Sequence, residues 1–496
     1  MVQEIQMMDN GNGLENPIKY DVPIWKIWKH KRYVLSILAF FGFMNMYALR
    51  TNLNIAIVDM TDFKNITLED GSTILKREFE WDSTIRGYVL SSFFYGYILT
   101  QILGGYFAVQ IGGAKVYGFG IAATSIFTLI TPWIAKTNVY LLIAVRTIEG
   151  AFEGVTYSAL QEVWTHWAPP SERSRLVSIA LSGSYFGGVF AMPICSLIAT
   201  AYGWETIFYV FGTLGLIWYL VWIIVIRDTP SKDSRIDQKE LVYITEAIKA
   251  VKNNTKIKVP WTKIITSRAV IANTICLTCE SWGFNTMLTF LPQIMKSLLG
   301  FELTKAGVLS AMPYLVTSIS VQMSGQLADF LIRRKCMSTT NVTKCLIVTG
   351  LMGQAIFILV AGYWISSVGT PLCLIIGVGL GGIAISAMVT NSLYIAPKFA
   401  GVIFGMNNTI ATIPGILSPI LTGYIVTDLT SITQWRIVFF ISSGLYFIGV
   451  IVSFFFTTGI RQPWAESENH DNIKDLNGNI NGVNKNFRLE DGNNCL

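Results

Sequence analysis

The chain has 496 residues; 52% are hydrophobic and only 14% are charged, with a net charge of +6 and a mean hydropathy of +0.48. Ordinary soluble proteins carry roughly 25% charged residues, and one packed core of this size cannot hide so much apolar surface, so a soluble enzyme and a disordered chain are both excluded. A polytopic membrane protein remains. No basic face repeats beside aromatics in a soluble segment, so the positive balance is not a nucleic-acid footprint.

Residues 1–32 form a polar tail with no apolar stretch before Tyr33, so no cleavable signal peptide is expected. A helix needs about 20 apolar residues to cross a bilayer. Such runs occur at 33–58, 85–108, 114–135, 138–166, 177–201 and 204–226, and again at 269–297, 303–328, 342–365, 370–396, 400–426 and 435–458. The expected organisation is all-α: twelve transmembrane helices, in a first half at 33–226 and a second at 269–458. A basic linker at 227–268 separates them, with an amphipathic helix expected over Gln238–Val251, and a disordered tail over 459–496 follows. With both termini cytoplasmic, the inner segments hold about 27 of the 37 Lys and Arg, as the positive-inside rule requires. Asn65-Ile66-Thr67 is then a glycosylation sequon on the outer side.

The halves repeat. Gly104-Gly105 and Gly112-Gly113-Ala114-Lys115 follow the second run, and Gly325-Gln326-Leu327-Ala328-Asp329 with Arg333-Arg334-Lys335 follows the eighth. Two six-helix repeats with a long inner linker are the plan of major facilitator transporters. Asp329, Arg333 and Arg334 read as a conformational latch rather than a substrate site.

A charge at mid-membrane costs at least about 2.5–3.5 kcal/mol, so each one needs a reason. Arg50 lies inside the first run, beside Asn52 and Asn54. It either snorkels to the outer interface or attracts an anion entering an outward-facing cavity. The fourth run carries Arg146, Glu149, Glu153 and Tyr157 at steps of three, four and four, which places them on one helical face. Gly150 and Gly154 allow a neighbouring helix to approach that face. Arg146 is a permanent cation suited to an anion. Glu153 is the coupling candidate, whereas Glu149 either joins it or pairs statically with Arg146. Glu280, in the seventh run, either belongs to the coupling path or balances Arg50.

Several apparent motifs carry no chemistry. Cys276-x-x-Cys279 lies in an apolar helix without partner ligands. Gly377, Gly379 and Gly382 spell a dinucleotide fingerprint, but no strand precedes them, so close helix packing is the better account. Neither a nucleophile–histidine pair nor a Walker A sequence occurs, so neither an enzyme nor an ATP-driven pump is expected.

The sequence resembles solute carrier family 17, the sialin, type I sodium–phosphate cotransporter and vesicular glutamate transporter family. The matching stretches run almost end to end: Arg50-Thr51-Asn52-Leu53, Ser92-Phe93-Phe94-Tyr95-Gly96-Tyr97, Arg146 through Glu153-Gly154, Trp167-Ala168-Pro169-Pro170, Gly325 through Phe330, Ile395-Ala396-Pro397 and Gln462-Pro463-Trp464. The resemblance implies a major facilitator fold, alternating access and anion transport coupled to sodium or protons, without a further cofactor. It also implies that Arg50 and Arg146 bind the anion and that Glu153 is linked to coupling. Leu90 stands where the glutamate transporters carry histidine, and Glu280 where they carry arginine. Both departures point away from vesicular glutamate transport, and the acid at Glu280 is similar to the inorganic phosphate cotransporter members. The expected partners are a small anion and the lipid bilayer, and the expected form is a monomer. Neither tail carries an acidic dileucine signal, which favours the plasma membrane.

Overall fold

The computed structural model describes residues 29–67, 73–170, 172–252 and 259–465. Seven helices build the first half: α1 (Lys31–Met60), α2 (Ser83–Ile111), α3 (Gly113–Thr137), α4 (Val139–Gly154), α5 (Thr156–Trp167), α6 (Arg173–Tyr202) and α7 (Trp204–Val225). The linker contributes α8 (Gln238–Lys252) and the short α9 (Trp261–Ile265). The second half comprises α10 (Arg268–Gln293), α11 (Leu303–Arg333), α12 (Thr339–Tyr363), α13 (Gly369–Ile395), α14 (Ala400–Ala411), α15 (Ile413–Ile425) and α16 (Ile432–Phe456). The fold is nearly, not wholly, α-helical. Strands β1 (Phe63–Thr67) and β2 (Thr73–Arg77) form an antiparallel hairpin between α1 and α2. Asn65 lies in β1 opposite Leu75, and its side chain is outside the described part of the structure.

Among the described residues, nine segments are long and apolar enough to cross a membrane. Their outer faces stay greasy: on α7, Leu214, Ile217, Leu220 and Ile224 are all exposed, as a lipid-facing stripe would be. The second, fourth and seventh predicted runs are not among the nine. The helices α2 and α10 are interrupted by Ser, Thr, Asn, Gly and Tyr, and the fourth run is two short helices meeting at Val155. The eleventh run is also broken, at Thr412, just before Pro414, whose missing N–H ends the hydrogen-bond ladder.

Glycines set the closest helix contacts. A Cβ on Gly150 would strike the Phe93 carbonyl, and one on Gly96 the Thr147 carbonyl, so α2 and α4 touch backbone to backbone. Gly183 and Gly187 bring α6 against the Phe40 and Met44 carbonyls of α1 in the same way. Gly382 lies against the Thr317 carbonyl and Gly377 against Phe357, consistent with a packing role for that glycine series.

The halves meet at the end that carries the α1–α2 hairpin. Asp62 pairs with Lys296 at 2.8 Å, Tyr88 with Tyr424 at 2.7 Å, and Thr200 with Thr304 at 3.2 Å. Ser83 donates to the Thr427 carbonyl at 3.3 Å. Among the described residues, the deepest hydrogen bond between the halves is Gln101 to Thr412, at 3.3 Å. The first four lie at the end that carries the α1–α2 hairpin and close the bundle there, whereas Gln101 lies past the middle of α2.

The linker is docked on the first half. Arg32 is fully buried and donates to Glu172 Oε2 at 2.8 Å and to Glu240 Oε1 at 2.9 Å. Glu240 is itself buried and also accepts the backbone N–H of Lys31. Tyr33 and Tyr243 donate to Glu172. Asp233 takes the Arg235 N–H at 3.0 Å and lies 3.4 Å from Lys31 Nζ. Burial alone would raise the Asp233 carboxyl, but these donors hold it below its ordinary range. Residues 459–465, placed by sequence in the tail, pack on the second half. Gly459 donates to Thr340, Gln462 donates to the Ile395 carbonyl, and Trp464 packs on Phe399. The remainder, 466–496, and the amino-terminal tail through 28 lie outside the described residues.

Candidate functional site

Four helices assemble the site. The α2–α4 glycine contacts carry Phe93 and Tyr97 to the α4 surface, and α1 passes across both. Arg50 does not snorkel. Its guanidinium lies 4.8 Å from the Phe93 ring centre, 4.8 Å from Tyr97 and 5.0 Å from Tyr47, an aromatic cage that suits a weakly hydrated cation. Nη2 and Nε of Arg50 both donate to Glu153 Oε1, at 2.6 and 3.1 Å. Glu153 is fully buried, and its second oxygen, Oε2, has no hydrogen-bond partner among the described residues.

Arg146 behaves differently. Its Nη1 donates to Glu149 Oε2 at 2.6 Å, within one turn of the same helix. Glu149 Oε1 accepts Thr128 and Thr131, each at 3.3 Å. Glu149 is thus paired with Arg146 within α4. Arg146 reaches toward α1 only through a long contact of 3.5 Å to the Arg50 carbonyl, and it shares the Phe93 ring with Arg50 at 5.5 Å. Its Nε has no partner among the described residues.

The predicted single face is interrupted. The helix breaks at Val155, where the Thr156 hydroxyl takes the Glu153 carbonyl at 2.6 Å, so Tyr157 belongs to α5. Its hydroxyl meets Ser184 of α6 at 3.2 Å. Asn52 makes no hydrogen bond with the Arg50–Glu153 pair. Two residues along a helix is a rotation of about 200°, and its fully buried amide has neither nitrogen nor oxygen partnered among the described residues. Asn54 instead donates to the Leu288 carbonyl of α10. Glu280 does not balance Arg50, whose carboxylate is Glu153. Glu280 is 4% exposed and makes neither a hydrogen bond nor an ion pair with any described residue. Asp329 and Arg333 form a loose, exposed pair at 4.0 Å, bordering with Arg334 a pocket. In the first half, which has no matching Asp, Asp228 from beyond α7 accepts the Ala114 N–H at 3.1 Å and so caps α3.

Sequence reasoning missed the aromatic cage, the threonines on Glu149 and the Arg32 cluster. Ser92 through Tyr97 carried a signal as an aromatic run, but Thr128 and Thr131 gave none.

The site is thus a mostly buried arginine facing a carboxylate with one oxygen unpartnered among the described residues. Residues 35–419 match the family model of the Major Facilitator Superfamily. The chain belongs to that superfamily. Within it, the chain is 40% identical to human sialin over 456 residues, 88% of this chain and 92% of sialin. It is 39% identical to vesicular glutamate transporter 1 of Bos taurus over 444 residues, 88% of this chain and 79% of the relative. It is therefore a solute carrier family 17 membrane transporter and not an enzyme. Among solved structures, the fold is similar to a bacterial homolog of the human lysosomal transporter Spinster, captured inward-facing and unoccupied. That likeness has a TM-score of 0.68 at 14% identity and covers 87% of this chain and 99% of that one. A D-xylose–proton symporter is similar at a TM-score of 0.63 and 14% identity, over 86% of this chain and 99% of that one.

Proposed function

We propose that this family 17 transporter is a secondary active carrier of small anions, inorganic phosphate or an organic anion, coupled to sodium or protons. The carrying observation is the Arg50–Glu153 pair. Arg50 is a fixed cation already engaged by a carboxylate, so an arriving anion competes with Glu153 for it. Once displaced, the Glu153 carboxylate has lost the hydrogen bonds from Arg50 and takes a proton or a sodium ion. Binding of anion and of coupling ion are thus linked through one two-state exchange. Arg146, held by Glu149, adds fixed positive potential beside Phe93, and Tyr157 supplies a hydroxyl to the surrounding wall.

All twelve apolar runs cross the membrane in this reading, and both termini are cytoplasmic. The closed hairpin end then faces outward, and the conformation is inward-facing. Asp329, Arg333 and Arg334 then border the cytoplasmic opening and act when it shuts. Asn65 lies on the glycosylated side. The vesicular relatives favour an intracellular membrane over the plasma membrane expected from the tails.

A second reading, a sialin-like proton-coupled exporter of acidic sugars or amino acids, draws on the 40% identity to sialin. Flux in proteoliposomes with phosphate, sialate and glutamate, under separately imposed sodium and pH gradients, distinguishes the two. An uncoupled facilitator would equilibrate its anion under either gradient without accumulating it. Absence of flux for all three anions would refute coupled anion transport.

A further inference from the structure

Glu280 sits where helices α10, α11 and α16 meet. Tyr314 of α11 and Tyr446 of α16 are within its electrostatic reach, and so is Tyr185 of α6 from the other half. Tyr314 is 3% exposed with an unpartnered hydroxyl, and Tyr446 is fully buried beside Gly283, one turn from Glu280. Glu280 Oε1 is buried without a hydrogen-bond partner, and no basic side chain among the described residues acts on it. An ionised carboxylate is not left so in a low-dielectric interior unless something positive joins it.

Tyr185 lies within reach of both Glu280 and Tyr47, and Tyr47 is part of the Arg50 cage. The two tyrosines therefore link the arginine face of the first half to the carboxylate face of the second. A negative group at Arg50 and a positive group at Glu280 would complete one dipole across the interface. Among the described residues, no three acidic, histidine or cysteine side chains gather to hold a metal, and one carboxylate among hydroxyls and aromatic rings suits a single positive charge rather than a divalent ion.

We infer that Glu280, with the Tyr314 hydroxyl, binds a monovalent cationic group that accompanies the anion held at Arg50. This rests on the anion-carrier reading above and names what travels with the anion. The group has two sources: a free sodium ion, or an ammonium group on the substrate itself. The binding geometry is the same for both, one carboxylate with hydroxyl and aromatic neighbours.

The experiment measures equilibrium binding of radioactive sodium to the purified full-length protein, and in parallel the binding of glutamate against glutarate, which lacks the ammonium group. A sodium source gives saturable sodium binding that Glu280→Gln weakens at least tenfold and Tyr314→Phe weakens less. An ammonium source gives no sodium binding but a preference for glutamate of at least tenfold, abolished by Glu280→Gln. Thermal melting of each variant separates lost binding from lost folding, and Tyr314→Phe keeps the ring and the packing. If wild type binds no sodium and does not discriminate the two acids, or if both variants match wild type, the inference is overturned and Glu280 is simply a neutral, protonated carboxyl. Arg50→Ala reads the underlying proposal separately. Anion flux unaffected by it would refute the anion site while leaving a positive sodium result in place.

Discussion

Arg50 spends both of its bonds to Glu153 on one oxygen, Oε1, at 2.6 and 3.1 Å, and leaves Oε2 buried without a partner among the described residues. A fully committed pair would be bidentate on both sides. This pair is held by charge and by the cage of Phe93, Tyr97 and Tyr47, with an acceptor site to spare. It is arranged to be exchanged rather than to be permanent.

Glu153→Gln removes the charge and keeps the shape. Accumulation of anion against its gradient is expected to vanish while exchange of anion for anion survives, both measured in proteoliposomes. Arg50→Lys keeps the charge but loses the planar fork. Its apparent anion affinity is expected to fall tenfold or more, roughly 1.4 kcal/mol or above.

The Arg146–Glu149 pair is expected to behave as structure. Removing one member leaves a buried charge and costs about 3–5 kcal/mol, whereas replacing both with apolar residues costs much less. Melting temperatures of Glu149→Leu and of the double variant Arg146→Met with Glu149→Leu provide the comparison. Equal loss in both would mean that the pair is not coupled.

Gly150→Leu is expected to disrupt the site without touching it chemically. Its side chain would collide with the Phe93 carbonyl and force α2 off α4. Overpacking of this kind costs about 1–3 kcal/mol or more, read as lower melting temperature and loss of transport. A fully active, equally stable variant would show that the close approach is dispensable.

The Thr200 and Thr304 hydroxyls lie 3.2 Å apart across the closed end. Cysteines at both positions are expected to cross-link on oxidation, stop transport and regain it on reduction. Cross-linking that leaves turnover intact would mean that this end does not open.

Linker docking is expected to depend on acid pH through Asp233. Its carboxyl is depressed below 3.8 by the Arg235 N–H and by Lys31, against the effect of burial. A carboxylate whose folded value is depressed contributes stability above its unfolded value and loses it as pH falls through the folded value. The Asp233 contribution to docking should therefore be flat from pH 7 to 5 and weaken below about 4. Hydrogen exchange across Gln238–Lys252 measures it, and Asp233→Asn should remove the acid step.

The order of apolar runs, the linker helix over Gln238–Val251 and the charges that need a reason inside a bilayer were all readable from residue type and spacing. These are local properties: hydropathy is summed along the chain, and a charge in an apolar run is conspicuous without knowing its neighbours. Helical periodicity placed Arg146 and Glu149 on one face because both lie in one unbroken helix. That helix ends at Gly154, so Tyr157 lies in the next one, α5. The partners were decided by tertiary structure. Arg50 and Glu153 are 103 residues apart, and which carboxylate an arginine meets depends on how helices rotate and how closely glycines let them approach. The chain by itself determined that Arg50, Arg146, Glu149, Glu153 and Glu280 must be explained. Packing decided that Arg50 meets Glu153, that Arg146 meets Glu149, and that Glu280 has no hydrogen-bond partner among the described residues.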